Sequence, residues 1–342
     1  MAQAFHWQGE GPSAQRNAPI SLEVNGESVY TSTGFLEGRN DVMWNRKRIG
    51  ISVGAGQMAL AVVRRRGTLI AVEKTVTEVL AAGLCRPSPV EKNITDPARW
   101  QGHVGALLGR FPKIRSATLS LPDTAVRTLL MTLQQVPESR ADFEKLIQWH
   151  MEKTFLHPLG EARFSHQILS RDATGTRLLA TAVKQEVAQQ YEAFNGAGAG
   201  AGIEIDRVGP SSLFVCNLFR PAVDRLGARH FLFVRIFDQT LTLIVFESGL
   251  PTFIRTKDFP ESEAWDEMLI AELTTSLSFY EGSGHTITAL THLLVSAGAE
   301  YAPTARLRES IRLTVVHLDP RSVFQSESVA PAVVAAVAAA AA

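Results

Sequence analysis

From residue 49 onward, apolar and polar positions alternate in short runs separated by turn residues, the pattern of half-buried strands. Runs at 49–53, 59–63 and 68–74 predict three strands, joined by Gly54-Ala55-Gly56 and by Arg65-Arg66-Gly67 into an antiparallel meander. Thr95-Asp96-Pro97 then supplies a side-chain acceptor and a proline for a helix start. Trp100, Val104, Leu107 and Leu108 fall on one face of that helix, Gly109 stops it, and a strand returns at 115–121. The same order recurs after the midpoint. Strands at 231–236 and 241–246 flank the turn Phe237-Asp238-Gln239-Thr240, and a third follows at 252–256. A long helix comes next, with Trp265, Met268, Leu269, Leu273, Leu277 and Tyr280 facing inward and Gly282 at its end; strands at 291–296 and 312–316 close this half. Meander, helix and strand thus occur twice.

Between the halves, residues 122–210 read as a small unit of their own. A strand at 126–133 precedes a helix introduced by Pro137, whose apolar stripe is Phe143, Leu146, Ile147, Met151 and Phe155. Strands at 164–170 and 177–183 are linked by Asp172-Ala173-Thr174-Gly175, and a helix at 186–194 carries Val187, Tyr191 and Phe194 on one side. The glycine–alanine run at 196–202 follows a helix and precedes a strand, the wrong order for a phosphate loop, so it reads as a flexible connector. The division is 1–48, a polar extension with one hairpin around Asn25-Gly26; 49–121, a first lobe; 122–208, an inserted α+β unit; 209–230, a return to the first lobe, including a short helix at 211–219; 231–329, a second lobe; and 330–342, an alanine-rich terminal helix.

Composition changes the picture mainly by exclusion. With 342 residues the chain is long enough for two cores, and 34 basic against 34 acidic residues remove the basic footprint of a nucleic-acid binder. The runs Arg46-Lys47-Arg48 and Arg64-Arg65-Arg66 read as solvated turns. Cys85 and Cys216 have neither ligand nor pairing spacing and read as buried thiols in a reducing compartment. Residues 1–20 hold no apolar stretch, and 330–342 is too short to span a bilayer, so a soluble, cytoplasmic protein is expected. Gly54-Ala55-Gly56 lacks the third glycine and following helix of a dinucleotide fingerprint. His150 and His157 have no carboxylate or cysteine at metal-ligand spacing and read as surface or packing residues. Ser211-Ser212 lacks the flanking glycines of a nucleophile elbow and reads as a helix cap. No pair of carboxylates stands out for acid–base work.

An ordered set of words brings in a resemblance. Ser120-Leu121-Pro122-Asp123, the stretch 143–149, His157-Pro158-Leu159-Gly160-Glu161-Ala162, the strand at 164–169, Ser276-Leu277-Ser278-Phe279-Tyr280 and Leu318-Asp319-Pro320 together resemble PilM, the actin-like component of type IV pilus assembly related to FtsA, over most of residues 48–338. The resemblance implies an α/β, actin-like (ribonuclease H-like) fold of two lobes with the inserted subdomain. It also implies that the two hairpin turns, 52–57 and 235–240, are the places where such folds hold nucleotide phosphates.

Carried over residue by residue, that nucleotide cleft comprises Ser52, Gly54, Gly56, Gln57, Arg235, Asp238, Gln239 and Gly298, and it is degenerate. Ser52 and Arg235 stand where the family has aspartates, Phe237 where it has a glycine, and Ala297-Gly298 where it has paired glycines. Such aspartates hold magnesium through water, which serine and arginine cannot do. Arg235 is expected in a structural ion pair. No catalytic residue, metal or cofactor is therefore expected, with ATP as the one ligand the loops admit. The implied role is a non-catalytic scaffold of a pilus or related secretion complex. It would be held at the inner membrane by the short cytoplasmic tail of a PilN-like protein, with other assembly components as further partners. In the family the tail lies between the first lobe and the inserted unit, which points to Leu129, Leu146, Trp149 and Met151, with Trp149 as anchor. The rival reading is an active actin-like ATP-binding protein or ATPase using both loops.

Overall fold

The computed structural model describes residues 47–342 apart from 67–68, 112–114, 156–160, 193, 195–202, 261, 303 and 327–328. The hairpin expected around Asn25-Gly26 and the connector at 196–202 lie outside the described residues. The first lobe opens with β1 (Lys47–Val53), β2 (Gln57–Arg66) and β3 (Leu69–Val79), an antiparallel meander followed by α1 (Pro97–Gly109) and β4 (Ser116–Leu121). The α1 start is the one its sequence predicts: the Asp96 carboxylate accepts from the backbone N–H of Ala98 and Arg99 at 3.1 Å each.

After β4 come β5 (Arg127–Leu133), α2 (Arg140–Thr154), β6 (Ala162–Asp172) and β7 (Gly175–Lys184), then α3 (Gln185–Glu192), β8 (Glu204–Pro210) and α4 (Ser211–Arg225). The second lobe contains β9 (Phe231–Phe237), β10 (Thr240–Glu247), β11 (Leu250–Asp258), α5 (Trp265–Gly282), β12 (His292–Ser296), α6 (Ala305–Ser310) and β13 (Thr314–His317). The chain ends with β14 (Phe324–Gln325) and α7 (Pro331–Ala341).

Sheet order makes the duplication explicit. The first sheet runs β14-β3-β2-β1-β4-β8 and the second β11-β10-β9-β12-β13, so each lobe has an antiparallel meander extended by two parallel strands. β5, β7 and β6 form a separate three-stranded sheet. Phe143, Ile147 and Met151 of α2 pack on one face of it, while Leu130, Leu169 and Leu179 join the central core from the other.

Two assigned boundaries move. The inserted unit ends with β7 rather than at 208: β8 pairs with β4 in the first sheet, and Tyr191 and Phe194 meet the Trp100 ring edge-on, each at 6.3 Å between centroids. Helical spacing had shown that α3 buries a stripe, but spacing does not say against which core. The second lobe likewise stops short of 329, since β14 pairs with β3.

The terminal helix α7 holds the architecture together. Ala332 to Ala340 are all buried, packed on β1, β2 and β4 and crossing α4. Its core cluster includes Ala59 and Ala61 of the first lobe and Phe231, Phe233 and Phe246 of the second. A Cβ at Gly50 would overlap the Ala336 carbonyl and crowd the Ala340 amide, so helix and strand backbones touch where glycine faces alanine. Overpacking of such a contact costs about 1–3 kcal/mol. Gly50→Ala should therefore lower the unfolding free energy by about 2–3 kcal/mol in urea denaturation. Gly105→Ala, on α1 with nothing near its Cβ position, should raise it by about 0.5–1 kcal/mol.

Candidate functional site

The two turns singled out in the sequence meet. The first, between β1 and β2, is closed by Gly54 N–H donating to the Gln57 carbonyl at 2.8 Å. The second, between β9 and β10, turns through Asp238 and Gln239, both left-handed at φ 55° and 58°. That conformation costs roughly 1–2 kcal/mol per non-glycine residue, with aspartate among the more tolerant. Two contacts hold it: the Gln239 carbonyl accepts from Phe259 N–H at 2.7 Å, and the Asp238 carboxylate crosses to the other lobe and accepts from Ala55 N–H. Gly54 has to be glycine for this approach, because a Cβ there would stand 2.6 Å from Asp238 Oδ2 and 3.3 Å from the Phe237 ring.

Behind the turns lies a buried polar seam. Ser52 of β1 donates from Oγ to the Ala332 carbonyl at 2.9 Å, and Arg235 of β9 reaches the Pro331 carbonyl at 3.5 Å. Both Ser52 and Arg235 thus engage the first turn of α7. Arg235 is 2 % exposed, and its guanidinium also lies 5.0 Å from the centre of the Phe237 ring. Among the described residues its Nε finds no hydrogen-bond partner, nor do the buried hydroxyls of Ser120 and Ser211. Burial lowers the Arg235 pKa to about 10, while the neighbouring Asp123 carboxylate pulls it upward. The expected ion pair is replaced by this looser relation: Asp123 is a charge neighbour of Arg235, and among the described residues no direct salt bridge joins them.

Asp123 was not among the residues singled out. Its Oδ1 accepts from Ser212 N–H at 2.9 Å and Ser212 Oγ at 3.0 Å, and its Oδ2 from Thr242 Oγ1 at 2.9 Å. One carboxylate therefore ties the end of β4, the start of α4 and the second lobe. It also corrects the reading of Ser211-Ser212 as a cap, for α4 has no cap from its own side chains and takes one from Asp123, a negative charge at the positive end of the helix. Burial raises the Asp123 pKa against the pull of these donors and of Arg235.

The remaining predicted residues separate. Gly56 lies near the Asp238 carboxylate, and its carbonyl accepts from Leu80 N–H at 2.9 Å. Gln57 pairs with Val79 at the start of β2. Gly298 stands beyond β12 beside the Glu300 carboxylate. Among the proposed docking residues, Met151 is fully buried in the inserted unit, which removes it from any surface; Leu129 and Leu146 are half-buried at the edge of the same core. Trp149 is 53 % exposed, with the Lys153 ammonium 5.0 Å from its ring centre and His150 edge-on. Both cysteines are buried, and desolvation takes each thiol up to about 12. Two surface concavities, about 580 Å³ beside Val136 and Phe143 and about 700 Å³ along α5 at Phe279, lie away from the seam.

The residues do not fit magnesium and ATP. No three His, Cys, Asp or Glu side chains among the described residues converge as a metal set. The seam offers a guanidinium where a cation would sit, a repulsion on the order of several kcal/mol at intermediate dielectric. The loop amide that would meet a phosphate is already bonded to a carboxylate.

Sheet order and connectivity define a two-lobed, actin-like fold with an inserted three-stranded unit. The chain has TM-score 0.67 and 16 % identity to a structure of the "PilM-PilN type IV pilus biogenesis complex", over 87 % of this chain and 98 % of that one. Remoter likenesses are a Bacteroides thetaiotaomicron protein with actin-like ATPase fold (TM-score 0.47, 9 % identity, 82 % and 93 % covered) and the cytoplasmic domain of EpsL of the Vibrio cholerae type II secretion system (0.46, 11 %, 86 % and 95 %). No protein-family model and no curated protein matches the chain.

Arg235→Met should destabilise the protein by about 1–3 kcal/mol at neutral pH, because it takes the neighbouring cation away from a buried carboxylate that keeps its three donors. A folded-state pKa raised above the unfolded value means that the native state holds its proton more tightly, so this group adds stability as pH falls through the raised value. The deficit of Arg235→Met should therefore shrink as pH falls from neutral, and largely vanish in Asp123→Asn/Arg235→Met, both read by urea denaturation.

Proposed function

We propose that this chain is a non-catalytic docking scaffold of a type IV pilus or related secretion assembly, held at the cytoplasmic face of the inner membrane by the tail of a PilN-like protein. The observation that carries the reading is the self-filled seam: Asp238 on the Ala55 amide, with Ser52 and Arg235 on the first turn of α7. A fold that keeps both lobes and the inserted unit while filling its phosphate loops retains value as a shape and not as an engine. The fold likeness to PilM, solved with PilN, supplies the class of partner. No helix among the described residues is long and apolar enough to cross a membrane, which accords with attachment through a partner.

The docking face lies along α2 and β5, with Trp149 as the exposed aromatic. Exposed tryptophans carry a large share of interface energy, and the neighbouring Lys153 adds a cation suited to an acidic or carbonyl-rich segment. The rival reading, an ATP-dependent switch, has the retained Gly54 and Gly56 in its favour, but Gly54 is accounted for by the close approach of Asp238.

Calorimetric titration of the full chain with the cytoplasmic tail peptide of the PilN-type protein from the same organism tests the reading. Binding at micromolar affinity or tighter is expected, weakened about tenfold or more by Trp149→Ala with no change in melting temperature. Absence of tail binding would remove the proposal, and binding insensitive to Trp149 would move the face elsewhere.

A further inference from the structure

We infer that the loop at residues 54–56 is an oxyanion site whose resident occupant is the Asp238 side chain, an internal substitute for a phosphate that clasps the two lobes shut. The inference rests on the same Asp238–Ala55 contact that the docking reading uses, and extends it to the chemistry of the loop.

Three features converge on this. The acceptor on Ala55 N–H comes from the opposite lobe, by way of a turn held in the left-handed region at two successive non-glycine positions. A two-residue hairpin turn takes positive φ at both central positions whatever its side chains do; the hairpin itself does not call for the reach of the Asp238 carboxylate across the cleft to a backbone amide. The receiving loop is shaped for the visitor, since Gly54 lacks the Cβ that would collide with Asp238 Oδ2, and Gly56 leaves Oδ1 3.8 Å from its own Cβ position. The contact also brings a negative charge against the first lobe: desolvation raises the pKa of the buried Cys85 thiol and Tyr191 phenol, and the Asp238 charge adds to it in the same direction. A carboxylate on a glycine-loop amide presents two oxygens and a negative charge, the chemistry that a phosphate presents to such a nest. With Asp238 seated, a phosphate would have to enter beside a like charge and compete for the same donor. The carboxylate thus excludes phosphate-type anions and supplies the interlobe bridge that a bound nucleotide would otherwise provide.

Removing the carboxylate should therefore do two things together: loosen the lobes and open the loop to inorganic anions. The full chain and its Asp238→Ala and Asp238→Asn variants can be compared in magnesium-free buffer with pyrophosphate as probe. Spin labels at the exposed positions Arg99→Cys on α1 and Glu281→Cys on α5 report the interlobe distance. For the native residue we expect one narrow distance and a melting temperature that does not respond to about 10 mM pyrophosphate. For Asp238→Ala we expect a broadened distance that narrows again with pyrophosphate, and a rise in melting temperature of about 3 °C. Asp238→Asn keeps an acceptor for Ala55 N–H without the charge, so it should stay narrow and guards against misfolding of the alanine variant. An alanine variant as narrow as the native chain, or a native chain that gains stability with pyrophosphate as the variant does, would overturn the inference. Either result would leave the tail-binding titration untouched.

Discussion

The contact on which this structure depends is a helix backbone laid directly against a strand backbone. Gly50 removes the side chain on β1, alanines remove it on α7, and the two main chains approach until Ala336 and Ala340 fill the space a Cβ would need. Because α7 also crosses α4 and shares its core with Phe231, Phe233 and Phe246, this one approach fixes the distance between the sheets of both lobes. Interiors packed at this density transmit position rather than absorb it. The carbonyls of Pro331 and Ala332 are thereby delivered to Arg235 and Ser52 at the bottom of the cleft.

The charge arrangement follows from that geometry. With α7 pressed in, the seam has little room for water, and each polar group in it must find a partner from the protein or bear the cost of lacking one. Asp123 meets the condition with three donors drawn from α4 and β10; Arg235 meets it only in part, retaining an unpaired Nε. Asp238 at the mouth of the cleft and Asp123 at its base are thus two interlobe carboxylate bridges, neither of which faces a metal set. Both bridges are built from the chain's own side chains.

Much of the fold was legible in the sequence because its signals are local. The meanders, the Asp96-Pro97 helix start, the inward stripe of α5 and the alanine-rich helix all rest on spacing or on residues a few positions apart. What was not legible was long-range. α3 shows an apolar stripe, but only the meeting of Tyr191 and Phe194 with Trp100 assigns it to the first lobe. β14 is two residues long, below the length at which alternation can be read. The cap of α4 comes from Asp123, 89 positions upstream of Ser212, where capping rules that look one to three residues away cannot see it. At the candidate site the sequence singled out both turns, Ser52 and Arg235, and it named Asp238 without its destination. Met151 failed as a docking residue for a simple reason: it lies on the same stripe as Phe143 and Ile147, and that stripe faces the sheet.

The most direct measurement of the central claim is a crystal structure of the full chain grown with ATP and magnesium in excess. A cleft in which Asp238 still caps the Ala55 amide, Ser52 and Arg235 still hold the first turn of α7, and no triphosphate lies between the lobes is the expected result. A triphosphate seated on residues 54–57 with a cation coordinated beside Arg235 would contradict it.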